Sequence, residues 1–238
     1  MKSLLTLFFA LLINLSLGAQ IAQSELNALK DFYTATHGDH WNQKWDLEQN
    51  VSDWPGVTIE NGHVTEIRML FNNLTGSLPS SIGEFSELKV LELSFNKMTG
   101  EIPSTIGSLR KLEVLALNGN NLSGGIPAAM GSLSNLTQLH LSSNQLSGEL
   151  PSEINALNRL EVFNVFDNDL SGVLPLELAS SRNLREFMVA ENNFENSNEI
   201  STILLINSGG HVDLKENMIL NPTAGKTIIA IETSDDEN

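Results

Sequence analysis

Apolar residues fall along this chain in a frame that repeats every 24 positions. Leu88, Leu112, Leu136, Leu160 and Leu184 mark the frame, with Val64 at the matching place in front. The pairs Ile67/Met69, Leu91/Leu93, Leu115/Leu117, Leu139/Leu141, Phe163/Val165 and Phe187/Val189 follow each mark. In Leu91-Glu92-Leu93 the apolar positions alternate with an outward one, the period of a short strand with one buried face. An asparagine stands eight residues after every mark: Asn72, Asn96, Asn120, Asn144, Asn168 and Asn192. Glycines (Gly76, Gly100, Gly124, Gly148, Gly172) and prolines (Pro79, Pro103, Pro127, Pro151, Pro175) continue the frame. Ile82, Ile106, Met130, Ile154 and Leu178, with Phe85, Leu109, Leu133 and Leu157, supply apolar lining to the return segment.

One such unit cannot bury both of its apolar sides, so the units must stack. Stacking sets strands about 4.8 Å apart and makes a parallel sheet on the inner face of an arc. An asparagine offers a donor and an acceptor together, so one per coil can satisfy the backbone of neighbouring coils as a buried ladder. The glycine column suits positive φ or close backbone approach. Proline lacks an N–H and keeps its segment out of a central strand.

Outside the frame the pattern changes. Lys2, an apolar run from Leu4 to Leu17, and small Ser16, Gly18 and Ala19 have the order of a secretory signal peptide over residues 1–19. Leu26, Leu29, Phe32 and Tyr33 predict a helix from Ser24 to Thr36, with Ser24 as its N-cap. Together with Trp41, Trp45 and Trp54 it makes an N-terminal helical, Trp-rich cap over 20–63. The repeats then occupy 64–196, five full and a sixth partial. Val212 to Asn217 reads as a further strand and asparagine, 25 residues after Asn192, within a degenerate repeat and C-terminal cap over 197–231. An acidic tail, expected to be disordered, fills 232–238.

The stretch Leu112-Glu113-Val114-Leu115-Ala116-Leu117-Asn118-Gly119-Asn120-Asn121-Leu122-Ser123-Gly124-Gly125-Ile126-Pro127 resembles the plant-type leucine-rich repeat, LxxLxLxxNxLxGxIP. The resemblance implies an α/β solenoid: a leucine-rich repeat arc with a parallel β-sheet on its concave face, closed by the two caps. The segment Trp54-Pro55-Gly56-Val57 is similar to the N-terminal cap of that class. Cysteines flank this stretch in the plant cap, whereas Ser52 and Ile59 stand there here, which points towards bacterial secreted relatives.

Composition narrows the chemistry. With 13 basic against 29 acidic residues, the chain of 238 carries a net charge of −16, which excludes nucleic acid as a natural partner. It has no cysteine, so disulfides, zinc thiolates and thiol nucleophiles are all absent. No stretch after the N-terminal run reaches the ~20 apolar residues of a membrane span. His37, His40, His63, His140 and His211 form no metal-binding pair, and Asp167 with Asp169 lacks the rest of a calcium loop. No Gly-x-Ser-x-Gly or phosphate loop occurs. The expectation is therefore a non-enzymatic protein, without cofactor or catalytic residues.

What remains is surface. Strand positions that leave the core make three columns: Glu66, Val90, Val114, Gln138, Val162, Glu186; then Arg68, Glu92, Ala116, His140, Asn164, Met188; then Leu70, Ser94, Asn118, Ser142, Phe166, Ala190. Phe71 and Phe95 stand just before ladder asparagines, a place where the resemblance implies that phenylalanine is frequent filler, as is valine in the first column. The candidate binding residues on this face are Arg68, Phe71, Glu92, Phe95, Asn118, His140, Asn164 and Phe166. Thr75, Thr99, Ser123, Ser147 and Ser171 line a flank, where they could meet a glycan or ice, or simply bond the adjacent turn. The expected protein is thus secreted or held at the cell surface, monomeric, and recognises a protein partner, with inhibition of extracellular hydrolases as an alternative.

Overall fold

The structure, a computed structural model, describes residues 21–195. The expected signal segment, degenerate final repeat and acidic tail lie outside the described residues. The chain forms α1 (Gln23–Ala35), β1 (Val57–Glu60), β2 (His63–Arg68), β3 (Val90–Glu92), β4 (Thr99–Gly100), β5 (Val114–Ala116) and β6 (Asn121–Gly124). Next come β7 (Gln138–His140), β8 (Gln145–Glu149), β9 (Val162–Asn164), β10 (Asp169–Gly172), α2 (Leu176–Ala179), β11 (Glu186–Met188) and β12 (Asn193–Phe194).

One strand of each repeat joins a single sheet in the order β1-β2-β3-β5-β7-β9-β11. All neighbours are parallel except β1 and β2, a hairpin closed by Asn61 and Gly62, both at positive φ (52° and 80°). Register follows the period of the sequence: Leu91 lies beside Leu115, then Leu139, Phe163 and Phe187. These residues, the frame leucines and the lining Ile82, Ile106, Met130 and Ile154 are all buried in one continuous core. The arc expected from the repeat is present.

A second sheet, in the order β12-β10-β8-β6-β4, runs along the segment that leaves each ladder asparagine. The sequence did not announce it, because strands of two to five residues are too short to show alternation. Its polar residues line the flank; Thr99 Oγ1 donates to the Gly76 carbonyl at 3.2 Å, a turn bond, whereas Thr75 Oγ1 meets His37 Nδ1 at 2.9 Å. Pro79, Pro103, Pro127 and Pro151 each precede one 3₁₀ turn and accept its first amide bond through their carbonyls.

The asparagines stitch coils together through their side chains. Asn120 Oδ1 accepts the Met98 amide at 3.1 Å, and Asn120 Nδ2 donates to Leu93 and Leu117 carbonyls at 3.0 and 2.9 Å. Asn96, Asn144, Asn168 and Asn192 repeat this set. Asn144 and Asn192 are only half-buried yet keep the same bonds, so bonding rather than full burial defines the ladder. Asn72 bonds the Gln43 main chain at both ends, 2.6 and 3.1 Å, and so carries the ladder into the cap.

The cap itself corrects one expectation. Its helix begins at Gln23 behind Ala22, with no side-chain N-cap, and Ser24 does not serve as one. The start is fixed from outside: the Ala22 amide donates to Gly62 of the hairpin, and the buried Glu25 carboxylate accepts the Val64 amide at 2.8 Å. Phe32, Tyr33, Trp41, Trp45 and Trp54 pack below, with Trp45 and Trp54 stacked at 4.8 Å and Trp41 edge-on to Trp45 at 4.9 Å. Each indole N–H donates to a carbonyl: Trp41 to Thr36, Trp45 to Pro55, Trp54 to Asp46. Burial plus satisfied N–H groups holds this cap where a disulfide could have done so.

Candidate functional site

The site is the outward side of β2, β3, β5, β7, β9 and β11, the concave face. Alternation points Glu66 and Arg68, Val90 and Glu92, and their equivalents away from the core. Four positions that the sequence pattern sends outward are nevertheless buried: Val90, Ser94, Ala116 and Ala190. Their side chains are short, and neighbouring strands about 4.8 Å away carry longer ones that cover them.

Polar groups on the face are already partnered at its N-terminal end. Arg68 Nε donates to Glu66 at 2.9 Å and Arg68 Nη1 to Glu92 Oε2 at 2.7 Å. The Glu66 bond, with Glu92 adding to it, raises the guanidinium above its usual value, so it stays charged at every accessible pH. Ser94 Oγ donates to Asn118 Oδ1 at 2.6 Å, which ties one candidate to a buried hydroxyl. Asn164 Oδ1 accepts the amide of Phe166 at 3.1 Å.

His140 lies between Ala116 and Asn164 in the strand register. Burial pushes its pKa below the ordinary imidazole value, against the opposing pull of Glu186 and Glu92. A neutral imidazole can donate or accept, and His140 Nε2 lies 3.4 Å from Gln138 Oε1.

The residue before each ladder asparagine has a left-handed backbone: Phe71 (50°), Phe95 (57°), Gly119 (66°), Ser143 (52°), Asp167 (57°) and Glu191 (54°). Glycine suits this conformation, and a Cβ on Gly119 would come within 2.7 Å of the Phe95 ring. A phenylalanine there costs about 1 kcal/mol in backbone strain. Phe71 and Phe95 are 64% and 48% exposed, and their rings stack in parallel at 4.6 Å with planes 2° apart. Leu70 beside them is 38% exposed.

The structure therefore brings the predicted residues into two groups. Arg68, Glu92, Phe71, Phe95 and, through Ser94, Asn118 share the N-terminal end, whereas His140, Asn164 and Phe166 lie further along. Leu70 and Glu66 belong to the first group and were not singled out. Leu70 alternates outward like any surface position, and only its exposure beside two rings marks it. Among the described residues, no three His, Asp or Glu are placed to hold a metal ion, and no helix is long and apolar enough to cross a membrane.

A family model of the leucine-rich repeat region matches residues 64–208. The chain belongs to the leucine-rich repeat family. Its repeats are of the plant type, and solved structures agree. The chain is similar to the leucine-rich repeat ectodomain of the receptor kinase SOBIR1 from Arabidopsis thaliana, at 36% identity over 74% of this chain and 97% of that one, with a TM-score of 0.66. It is similar to the ectodomain of GASSHO1/SCHENGEN3 from Arabidopsis thaliana, solved with CASPARIAN STRIP INTEGRITY FACTOR 2, at 29% identity and a TM-score of 0.67. It is also similar to PEPR1, solved with AtPEP1, at 29% identity and a TM-score of 0.65. The match covers 73% of this chain in both cases but spans only 21% of the GASSHO1 chain and 25% of the PEPR1 chain.

Proposed function

We propose that this leucine-rich repeat protein is an exported, non-enzymatic recognition protein that binds another protein through its concave face. The observation that carries the reading is an unbroken face of six parallel strands whose outward columns carry charged groups, edged by the exposed rings of Phe71 and Phe95. Such a surface offers both an apolar anchor and orienting polar contacts, the two ingredients of a protein interface. The GASSHO1 complex with CASPARIAN STRIP INTEGRITY FACTOR 2 and the PEPR1 complex with AtPEP1 support recognition of a partner by this fold. Export rests on the Lys2 to Ala19 sequence, and the division into cap (20–63), repeats (64–196) and C-terminal cap (197–231) rests on where the period begins and fades.

The experiment expresses the full chain in a secreting host and sequences the N-terminus of the exported product, expected near residue 20. The exported protein is then used to capture partners from the source's surface proteins, beside an Arg68→Glu/His140→Glu control of unchanged melting temperature. A protein retained by the wild type and lost by the control supports the reading. Retention of carbohydrate alone, or retention indifferent to the control substitutions, sinks it. Loss of activity in a hydrolase panel on mixing would instead favour the inhibitor alternative.

A further inference from the structure

The Phe71–Phe95 pair sets two rings side by side at the surface. Neither ring belongs to the core, both sit on strained left-handed backbone, and the same column elsewhere carries Gly119, Ser143, Asp167 and Glu191. Two exposed rings stacked beside exposed Leu70 form an apolar patch on an otherwise polar rim.

The surrounding charge restricts the partner. Among the described residues, the outward columns set Glu66, Glu92 and Glu186 against the one guanidinium of Arg68, on a chain of net charge −16. Arg68 takes only Oε2 of Glu92, which leaves Oε1 open among the described residues.

We propose that Phe71, Phe95 and Leu70 anchor an apolar side chain of a partner protein segment, and that Glu92 holds a nearby basic side chain of the same segment. This rests on the concave-face recognition argued above and names the chemistry of its partner.

The test selects a random-peptide phage library on the full chain and measures the selected peptides on two variants. Phe71→Ser/Phe95→Gly uses residue types already present in that column, at Ser143 and Gly119, and Glu92→Gln keeps the shape of the carboxylate. Selected peptides should pair an aromatic or aliphatic residue with a nearby Lys or Arg. The double variant should weaken them about tenfold or more while melting at or above the wild-type temperature. Glu92→Gln should weaken them about threefold and flatten the salt dependence. Peptides without a basic residue, undiminished binding to the double variant, or a double variant that melts far below the wild type would each overturn the anchor. If His140→Glu abolishes binding that the double variant retains, concave-face recognition survives and the anchor alone fails. A library that yields no peptide counts against both.

Discussion

The cap and the repeats meet the same backbone demand by opposite means. In the repeats one residue type at one spacing does the work: Asn96, Asn120, Asn144, Asn168 and Asn192 each bond two coils through the same three groups. In the cap nothing recurs. Three indoles and a buried carboxylate satisfy the main chain one group at a time, and Trp41 Nε1 and the Thr75 amide even share the Thr36 carbonyl. Asn72 belongs to both regimes, since Asn96 Oδ1 accepts its amide while its side chain bonds Gln43. A periodic region can spread its stability over identical bonds, whereas the end of a solenoid must cover the first coil with bulk.

That contrast can be broken by substitution. Trp45→Ala removes the ring stacked on Trp54 and leaves a cavity under α1, and should cost about 3–5 kcal/mol in urea denaturation. Hydrogen exchange in the same variant should show protection falling first in β1–β3. Equal loss along the whole arc would mean the cap is not a separate regime. Asn120→Ala strips the Met98 amide and two carbonyls of a partner in the buried interior, with an expected loss of about 2–3 kcal/mol by the same denaturation. Glu25→Ala orphans the Val64 amide at the junction of the two regions, and about 1–2 kcal/mol should follow, read as a lower melting temperature.

The smallest effect belongs to the concave face. Burial lowers the pKa of His140 in the folded protein, so the unfolded chain binds the proton first as pH falls. Stability is unaffected above the ordinary imidazole value and declines as pH drops from there through the lowered one. The wild type should therefore lose stability relative to His140→Gln over that window, measured as the difference in melting temperature between pH 7 and pH 5. A difference that does not change with pH would show that the imidazole is not desolvated.

Legibility in the sequence followed the same division. The frame leucines, the ladder and the positive-φ glycines were all readable, because a column repeated five or six times averages out local accident. Glu25 was not readable: a glutamate on a helix beside Leu26 looks like solvent-facing charge, and only the hairpin packed against α1 gives it an amide to hold. The Asn61-Gly62 turn was a usable signal that the repeat pattern overshadowed. On the concave face, the outward columns were readable but their accessibility was not, as Val90, Ser94 and Ala116 show.

Sequence alone thus determined the family, the repeat register, the parallel sheet and which residues face outward, since these follow from a period that each coil must obey in order to stack. Tertiary structure decided the rest: the second sheet, the cap's bonds, the pairing of Arg68 with two glutamates, and the stack of Phe71 on Phe95. Those depend on distances between residues of different coils, and a side chain's exposure or partner is set by its neighbour across the sheet, which no single repeat encodes.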